Sequence, residues 1–222
     1  MINYISKYAS IYCLDMPGFG DSDEPYKNLN LDDYVDFIIK FIEKQNIKNL
    51  SIIGHSNGGR IAIKLLNKEN LNFTVDKLLL IGSAGIVHKK NLFNRTKLNL
   101  FKLGKKILEI KIIKKFFPNI LNKLKNIFGS EDYKNSSPVM KNTLVNLVNE
   151  DLTKYLINIS IPTLLIWGEN DTETPISDGE IMENLISNSK LIKIKKCSHY
   201  VFLEQPDYTN KIIKSFLNGG KR

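Results

Sequence analysis

Cysteine is scarce in this sequence, with only Cys13 and Cys197 among 222 residues. Two cysteines are too few for the disulfide framework of a small secreted domain, and no group of residues has metal-ligand spacing. We therefore expect two buried free thiols, with Cys13 inside a strand, and neither a metal ion nor another cofactor. No apolar run reaches the roughly 18 residues of a membrane-spanning helix. The first residues show no signal peptide, so the expected location is cytoplasmic.

Arginine is also scarce, since only three of the 32 basic residues are arginine. Surfaces that bind nucleic-acid phosphates usually favour the rigid, bidentate guanidinium group of arginine. The net charge of +9 is also local, because residues 87–128 hold twelve basic residues and a single acid, Glu109. We therefore expect no nucleic-acid partner for this protein.

Short apolar segments alternate along the chain with amphipathic segments of helical period. The apolar segments predict five strands, which are Ser10–Asp15, Asn49–Ile53, Lys77–Gly82, Pro162–Gly168 and Lys190–Ile194. Helices are predicted from Leu31, where Asn30 and Asp33 form a capping pair, from about Arg60, and after Asp207. Nearly continuous apolar strands separated by helices indicate an α/β fold with a mostly parallel sheet covered on both faces. The last strand alternates in polarity, which predicts an edge position.

This alternation stops between Gly85 and Ile161, where the sequence favours helix and has few strand-forming segments. We therefore divide the chain into a core, residues 1–85 and 161–222, and an inserted helical region, residues 86–160.

The strongest chemical signal is the turn Gly54-His55-Ser56-Asn57-Gly58, which joins a predicted strand to a predicted helix. We expect so sharp a turn that side chains at positions 54 and 58 would nearly collide, which explains glycine at both. Such a turn exposes the Ser56 hydroxyl, and the first N–H groups of the helix point toward the same place. Ser56 is therefore the candidate nucleophile, and the alternative is an ordinary glycine-rich turn.

A serine nucleophile needs a base, and the base needs an orienting acid. The sequence has only three histidines. We interpret His55 as a packing residue directed away from the exposed serine, and His88 as a solvated loop residue. His199 follows the last predicted strand, at the end of the sheet where open α/β sheets bind their ligands. It is therefore the candidate base.

The candidate acid lies in the turn that follows the strand ending at Gly168. This turn offers Glu169, Asp171 and Glu173. We prefer Asp171 because it stands at the apex of the turn, and we expect the two glutamates to be solvated. The alternative for Asp171 is a turn-forming aspartate without a catalytic role.

Taken together, these motifs resemble the α/β-hydrolase superfamily, in its serine esterase, lipase and carbon–carbon hydrolase branch. The matching segments are Asp15–Ser22, Gly54–Gly59, Gly168–Asp171 with Pro175, and Ser198-His199. The resemblance implies the α/β-hydrolase fold, with residues 86–160 as a helical cap. It also implies the order nucleophile, acid and base, here Ser56, Asp171 and His199.

The resemblance is incomplete at the beginning of the chain. Family members usually open with two or three strands and a His-Gly-x-Gly loop, and none of these precedes Asp15 here. The resemblance therefore implies one oxyanion donor, the backbone N–H of Asn57, because the second donor belongs to that loop. We expect an N-terminally truncated sheet in which Ile11–Asp15 pairs directly with Leu50–Ile53, or in which both remain unpaired edges.

Two functions follow from these observations. The first is a serine hydrolase that acts through an acyl-enzyme on a small-molecule acyl substrate, which is an ester, a thioester, an amide or an activated carbon–carbon bond. The second is a non-catalytic remnant or binding protein. The basic inserted region is expected to be a cap with solvated lysines, and the alternative is a cationic surface that contacts anionic membranes. The sequence indicates neither the particular substrate nor an oligomeric state.

Overall fold

The computed structural model describes residues 1–88 and 136–219. Within these ranges, four parallel strands form one sheet in chain order, and they are Asn49–His55 (β1), Thr74–Ile81 (β2), Thr163–Gly168 (β3) and Ser189–Ile194 (β4). The helices are Ile2–Ile5 (α1), Leu31–Lys44 (α2), Asn57–Leu65 (α3), Pro138–Asn149 (α4), Thr153–Leu156 (α5), Ile176–Leu185 (α6), Val201–Glu204 (α7) and Pro206–Leu217 (α8). Helices separate the parallel strands along the chain, which confirms the predicted α/β fold class.

The sheet is covered on both faces, as its nearly continuous apolar strands predicted. In β2, Leu78 and Leu80 belong to the core that includes residues of α2 and α3. The intervening Leu79 and Ile81 belong to a second core, with residues of α1 and α8. Because successive strand residues point to opposite faces, a strand covered on both sides is apolar at every position.

Most predicted element boundaries agree with the structure to within a few residues. Helix α2 begins at Leu31 with a reciprocal cap, in which the Asp33 N–H donates to Asn30 Oδ1 at 3.0 Å and the Asn30 N–H donates to Asp33 Oδ2 at 2.8 Å. Helix α3 begins at Asn57, three residues before the predicted start, because the chain turns directly into the helix after Ser56. Strand β4 is half-exposed and pairs with β3, in agreement with the predicted edge position.

The predicted first strand, Ser10–Asp15, does not form. These residues have no regular structure, Cys13 is exposed rather than buried, and the segment does not pair with β1. A groove of about 880 Å³, lined by Leu14 and Ile52 among others, lies beside β1. The Tyr12 ring instead packs edge-on against Phe41 of α2. A short apolar segment becomes a strand only when packing fixes its register, and here every residue of the segment except the half-buried Leu14 is exposed.

The described part of the inserted region is helical, with α4 and α5. Its remaining residues, 89–135, lie outside the described residues, and with them most of the basic segment. The cap boundaries and the contact with anionic membranes therefore stay predictions. Within residues 1–88 and 136–219, no helix is long and apolar enough to cross a membrane.

Two basic residues of α3 attach the end of α4 to the core. The Arg60 guanidinium donates to the carbonyl oxygen atoms of Glu150, at 2.7 Å, and Val148, at 3.2 Å. One turn later, Lys64 Nζ donates to Asp32 Oδ2 at 2.7 Å and to Glu150 Oε1 at 2.6 Å. Burial acts to lower the pKa of Lys64, but the two carboxylates raise it. The ammonium group therefore stays charged and holds α2, α3 and α4 together.

Replacing Lys64 by methionine is expected to destabilise the fold by about 1–3 kcal/mol, because two carboxylates lose their shared buried partner. The free energy of unfolding in urea measures this effect. Lys68→Met is the matched control, since Lys68 also pairs with Asp32 but is more exposed. Equal effects of the two substitutions would contradict a special role for the buried ammonium group.

Candidate active site

Ser56 stands between β1 and α3 in a backbone conformation that L-amino acids rarely adopt, with φ 49° and ψ −116°. This conformation reverses the chain within one residue, so that the strand leads straight into the helix. A Cβ atom at Gly54 would lie 2.8 Å from the carbonyl oxygen of Gly58 and from the amide nitrogen of Gly59. The sharp turn therefore excludes any side chain at position 54. Backbone strain of this kind is typical of functional sites.

The turn is attached to the end of β2 by backbone hydrogen bonds. The Ser56 N–H donates to the Ile81 carbonyl at 3.2 Å, and the Ala84 N–H donates to the Ser56 carbonyl at 3.1 Å. A Cβ atom at Gly59 would lie 1.9 Å from Ser83 Oγ, so that glycine is required where α3 passes the end of β2. These contacts fix the position of Ser56 relative to residues 81–84.

Asp171 and His199 form a buried pair at the carboxyl ends of β3 and β4. His199 Nδ1 lies 2.8 Å from Asp171 Oδ2, and both side chains are almost fully buried. Asp171 Oδ1 accepts the backbone N–H groups of Glu173 and Thr174, each at 2.9 Å. The Thr174 hydroxyl lies 2.9 Å from Asp171 Oδ2. The carboxylate is thus held in one orientation by donors on both of its oxygen atoms.

The end of β2 brings this pair close to Ser56. A Cβ atom at Gly82 would lie 3.1 Å from both Asp171 Oδ2 and His199 Nδ1, while the preceding carbonyl, of Ile81, accepts from Ser56. Among the described residues, no hydrogen bond joins Ser56 Oγ to His199. The Nε2 atom of His199 lies instead 3.7 Å from Glu173 Oε2. Hydrogen bonds between catalytic groups are often long before substrate binds and tighten in the complex.

The sequence matches the alpha/beta hydrolase fold family over residues 1–206. The chain belongs to the α/β-hydrolase family.

Relatives of this hydrolase include named esterases and lipases. It is 31% identical to the pimeloyl-[acyl-carrier protein] methyl ester esterase of Wigglesworthia glossinidia brevipalpis, over 98% of this chain and 86% of the relative. It is 27% identical to the AB hydrolase superfamily protein YisY of Bacillus subtilis (strain 168), over 92% and 80% of the two chains. Identity to the mouse (Mus musculus) monoacylglycerol lipase ABHD6 is 25%, over 98% and 70%.

Solved structures share the fold at lower sequence identity. The meta-cleavage product hydrolase CumD from Pseudomonas fluorescens IP01 superposes with a TM-score of 0.68 at 22% identity, covering 99% of this chain and 84% of that chain. MenH from S. aureus has a TM-score of 0.68 at 21% identity, covering 99% and 88%. The predicted α/β-hydrolase fold and the predicted class of enzyme, a hydrolase, are thus confirmed.

His55 of the hydrolase packs as predicted, and it packs directly against the candidate base. Its ring centroid lies 4.6 Å from that of His199, and its Nδ1 lies 2.9 Å from the Ile81 carbonyl. Because a carbonyl oxygen only accepts, Nδ1 carries the hydrogen atom of this bond. Burial lowers the pKa of His55, which favours a neutral ring at neutral pH. The sequence indicated that His55 is a packing residue, but it did not indicate that His55 packs against His199.

His88 is an exposed loop residue, as interpreted, but it has a partner that the sequence did not indicate. Its Nε2 lies 2.5 Å from Oδ1 of Asp178, a buried residue in the first turn of α6. Burial raises the pKa of Asp178. The two residues are 90 positions apart, so no local pattern could have revealed this pair.

Asn57 is the first residue of α3, so its N–H has no acceptor within the helix. This N–H stands immediately after Ser56 and is free to stabilise negative charge there. The Asn57 side-chain oxygen is buried and has no hydrogen-bond partner among the described residues. Its lone pairs are therefore available to a donor from water or a ligand.

Gly58 does not have the steric role that we expected for it. A Cβ atom at position 58 would meet no atom within 4 Å, because this residue faces the groove beside β1. The prediction that both glycines are required by close contact is therefore wrong for Gly58. Of these two positions, only position 54 requires glycine for steric reasons, because a Cβ atom there would clash with the backbone of residues 58 and 59.

Gly54→Ala is expected to destabilise the hydrolase by about 1–3 kcal/mol, because the added methyl group must displace the backbone of α3. Gly58→Ala is the matched control, and it is expected to be neutral or up to about 1 kcal/mol more stable, since alanine favours the helix. Thermal unfolding of the two variants tests this difference. Similar losses of stability in both variants would contradict the steric requirement for glycine at position 54.

Proposed function

We propose that this protein is a serine hydrolase that acts through an acyl-enzyme, with Ser56 as nucleophile, His199 as base and Asp171 as orienting acid. The observation that carries the proposal is the buried Asp171–His199 pair, in which Oδ2 and Nδ1 are 2.8 Å apart. The pair lies against the end of β2, and the same end accepts the Ser56 N–H. The family membership and the relatives named as esterases and lipases support the same chemistry.

In the acylation step, His199 Nε2 takes the proton of the Ser56 hydroxyl while Oγ attacks the carbonyl carbon of the substrate. The backbone N–H of Asn57 is the oxyanion donor that we assign. The imidazolium ion then gives its proton to the leaving group, and the bond between the carbonyl carbon and that group breaks. A water molecule, deprotonated by His199, then attacks the acyl-enzyme; the bond between the acyl carbon and Ser56 Oγ breaks, the imidazolium returns its proton to Oγ, and the acid is released.

Asp171 has two roles in this scheme. Its Oδ2 accepts from Nδ1 of His199, which fixes the tautomer that leaves Nε2 free to take a proton. Its negative charge also stabilises the imidazolium ion that forms during the reaction. Both roles depend on the donors that orient the carboxylate, namely the backbone N–H groups of Glu173 and Thr174.

The substrate is proposed to be a small acyl compound, and esters are the first class to test. Two relatives named above are a methyl ester esterase and a monoacylglycerol lipase, and both names describe cleavage of a carboxylic ester. Thioesters, amides and activated carbon–carbon bonds follow the same acyl-enzyme chemistry and form a second set of test substrates.

A fluorophosphonate probe is expected to label the wild-type protein covalently, and Ser56→Ala is expected to abolish the labelling. Ser51→Ala, in the preceding strand, is the control and is expected to be labelled normally. Mass spectrometry of the labelled peptide identifies the modified residue. Equal labelling of the wild type and Ser56→Ala would overturn the proposed nucleophile, and absence of labelling in the wild type would favour a non-catalytic binding protein.

Asp171→Asn is expected to lower kcat for ester hydrolysis by about 10³–10⁴-fold, because an amide in this place favours the wrong imidazole tautomer. Asp178→Asn is the matched control, since Asp178 is also a buried aspartate paired with a histidine. Its kcat is expected to stay within about tenfold of the wild-type value. If the control loses as much activity as Asp171→Asn, Asp171 is not the orienting acid.

A further inference from the structure

Two carboxylates approach the His199 imidazole from opposite sides. Asp171 contacts Nδ1, and Glu173 Oε2 lies 3.7 Å from Nε2, the nitrogen atom that faces the substrate in the proposed mechanism. The two groups differ in exposure. The Asp171 side chain is fully buried, whereas the Glu173 side chain is 62% exposed and is therefore accessible to a ligand.

The position of Glu173 is set by the same turn that holds the candidate acid. Its backbone N–H donates to Asp171 Oδ1 at 2.9 Å, so the residue cannot move far without disturbing that carboxylate. Glu169 belongs to the same turn and is also exposed, but its backbone N–H bonds to the Ile194 carbonyl and it does not contact His199. Two glutamates four residues apart thus differ in their relation to the candidate base.

Among the described residues, the charged side chains paired with His199 are both carboxylates, those of Asp171 and Glu173. Within the described ranges, no lysine or arginine forms an ion pair with Asp171 or Glu173. Other described residues in contact with the imidazole include His55, Thr174 and Tyr200, and of these only His55 can carry a positive charge. Burial lowers the pKa of His55, so this ring adds no positive charge at neutral pH.

We propose that Glu173 selects substrates whose leaving group carries a positive charge, such as esters of amino alcohols or of quaternary ammonium alcohols. This inference rests on the proposed function, in which Nε2 passes a proton to the leaving group. The leaving oxygen must therefore come within hydrogen-bond reach of Nε2. Because Glu173 Oε2 lies 3.7 Å from Nε2, an ammonium group two carbon atoms from the leaving oxygen can reach the Glu173 carboxylate.

The test compares two acetates of the same shape, acetylcholine and 3,3-dimethylbutyl acetate, in which a quaternary carbon replaces the quaternary nitrogen. The ratio of their kcat/KM values is measured at low ionic strength for the wild type, Glu173→Gln and Glu169→Gln. The neutral ester is the internal reference for each variant, so a general change in activity cancels. Both substitutions remove one negative charge from the same turn.

We expect the wild type to favour the cationic ester. Glu173→Gln is expected to lower the ratio of kcat/KM values, cationic over neutral ester, by about threefold to tenfold, which is the effect of losing one attractive charge at a short distance in a partly solvated site. Glu169→Gln is expected to keep the wild-type ratio. High salt should reduce the wild-type preference, because it screens exposed charges. A ratio unchanged by Glu173→Gln, or lowered equally by both substitutions, would overturn the proposal.

A second measurement does not depend on turnover. Choline and 3,3-dimethylbutan-1-ol, the two alcohol products, are compared for their ability to protect Ser56 from the fluorophosphonate probe. In the wild type, choline is expected to protect Ser56 at a lower concentration than the neutral alcohol does. In Glu173→Gln, the two alcohols are expected to protect at similar concentrations. If Ser56 is labelled and both alcohols protect it equally in the wild type, the proposed role of Glu173 is overturned while the proposed hydrolase function stands. Absence of labelling would overturn the proposed function itself.

Discussion

The end of β2 is the point at which the site is assembled. Its Ile81 carbonyl accepts the Ser56 N–H, and the next residue, Gly82, leaves the space that Asp171 and His199 occupy. Gly82 has a φ of +46°, and a Cβ atom there would press on both members of the pair. Because β2 pairs with β1 on one side and with β3 on the other, this end is the common neighbour of the loops after those strands. The parallel pairing of β2 is therefore the constraint on which the site depends.

Burying the Asp171 carboxylate is unfavourable unless its oxygen atoms are bonded. Its Oδ1 accepts two backbone N–H groups of its own turn, and its Oδ2 lies within hydrogen-bond distance of the Thr174 hydroxyl and of His199 Nδ1. The pair with His199 therefore forms part of a satisfied polar network. Glu173 belongs to the same turn but points into a more exposed region, where its charge is available to a ligand. One short loop thus supplies both a buried acid and an exposed one.

Several features could be predicted because they depend on residues close together in the sequence. The cap of α2 needs only Asn30 and Asp33, and the sharp turn at Ser56 needs glycine two residues before it. The strand Ser10–Asp15 was predicted wrongly by the same kind of reasoning, because strand formation needs a partner with matching register. The role assigned to Gly58 was also wrong, since open space beside a residue cannot be inferred from its neighbours in sequence.

The sequence by itself determined the class of fold, the positions of the turns and the chemical groups available at them, because backbone conformation and periodicity are local properties. Only the tertiary structure decided which of three carboxylates binds the imidazole and which one faces its other nitrogen atom. It also decided that His55 packs against His199 and that His88 meets Asp178. These contacts depend on strand register and loop geometry, which bring together residues that are far apart along the chain.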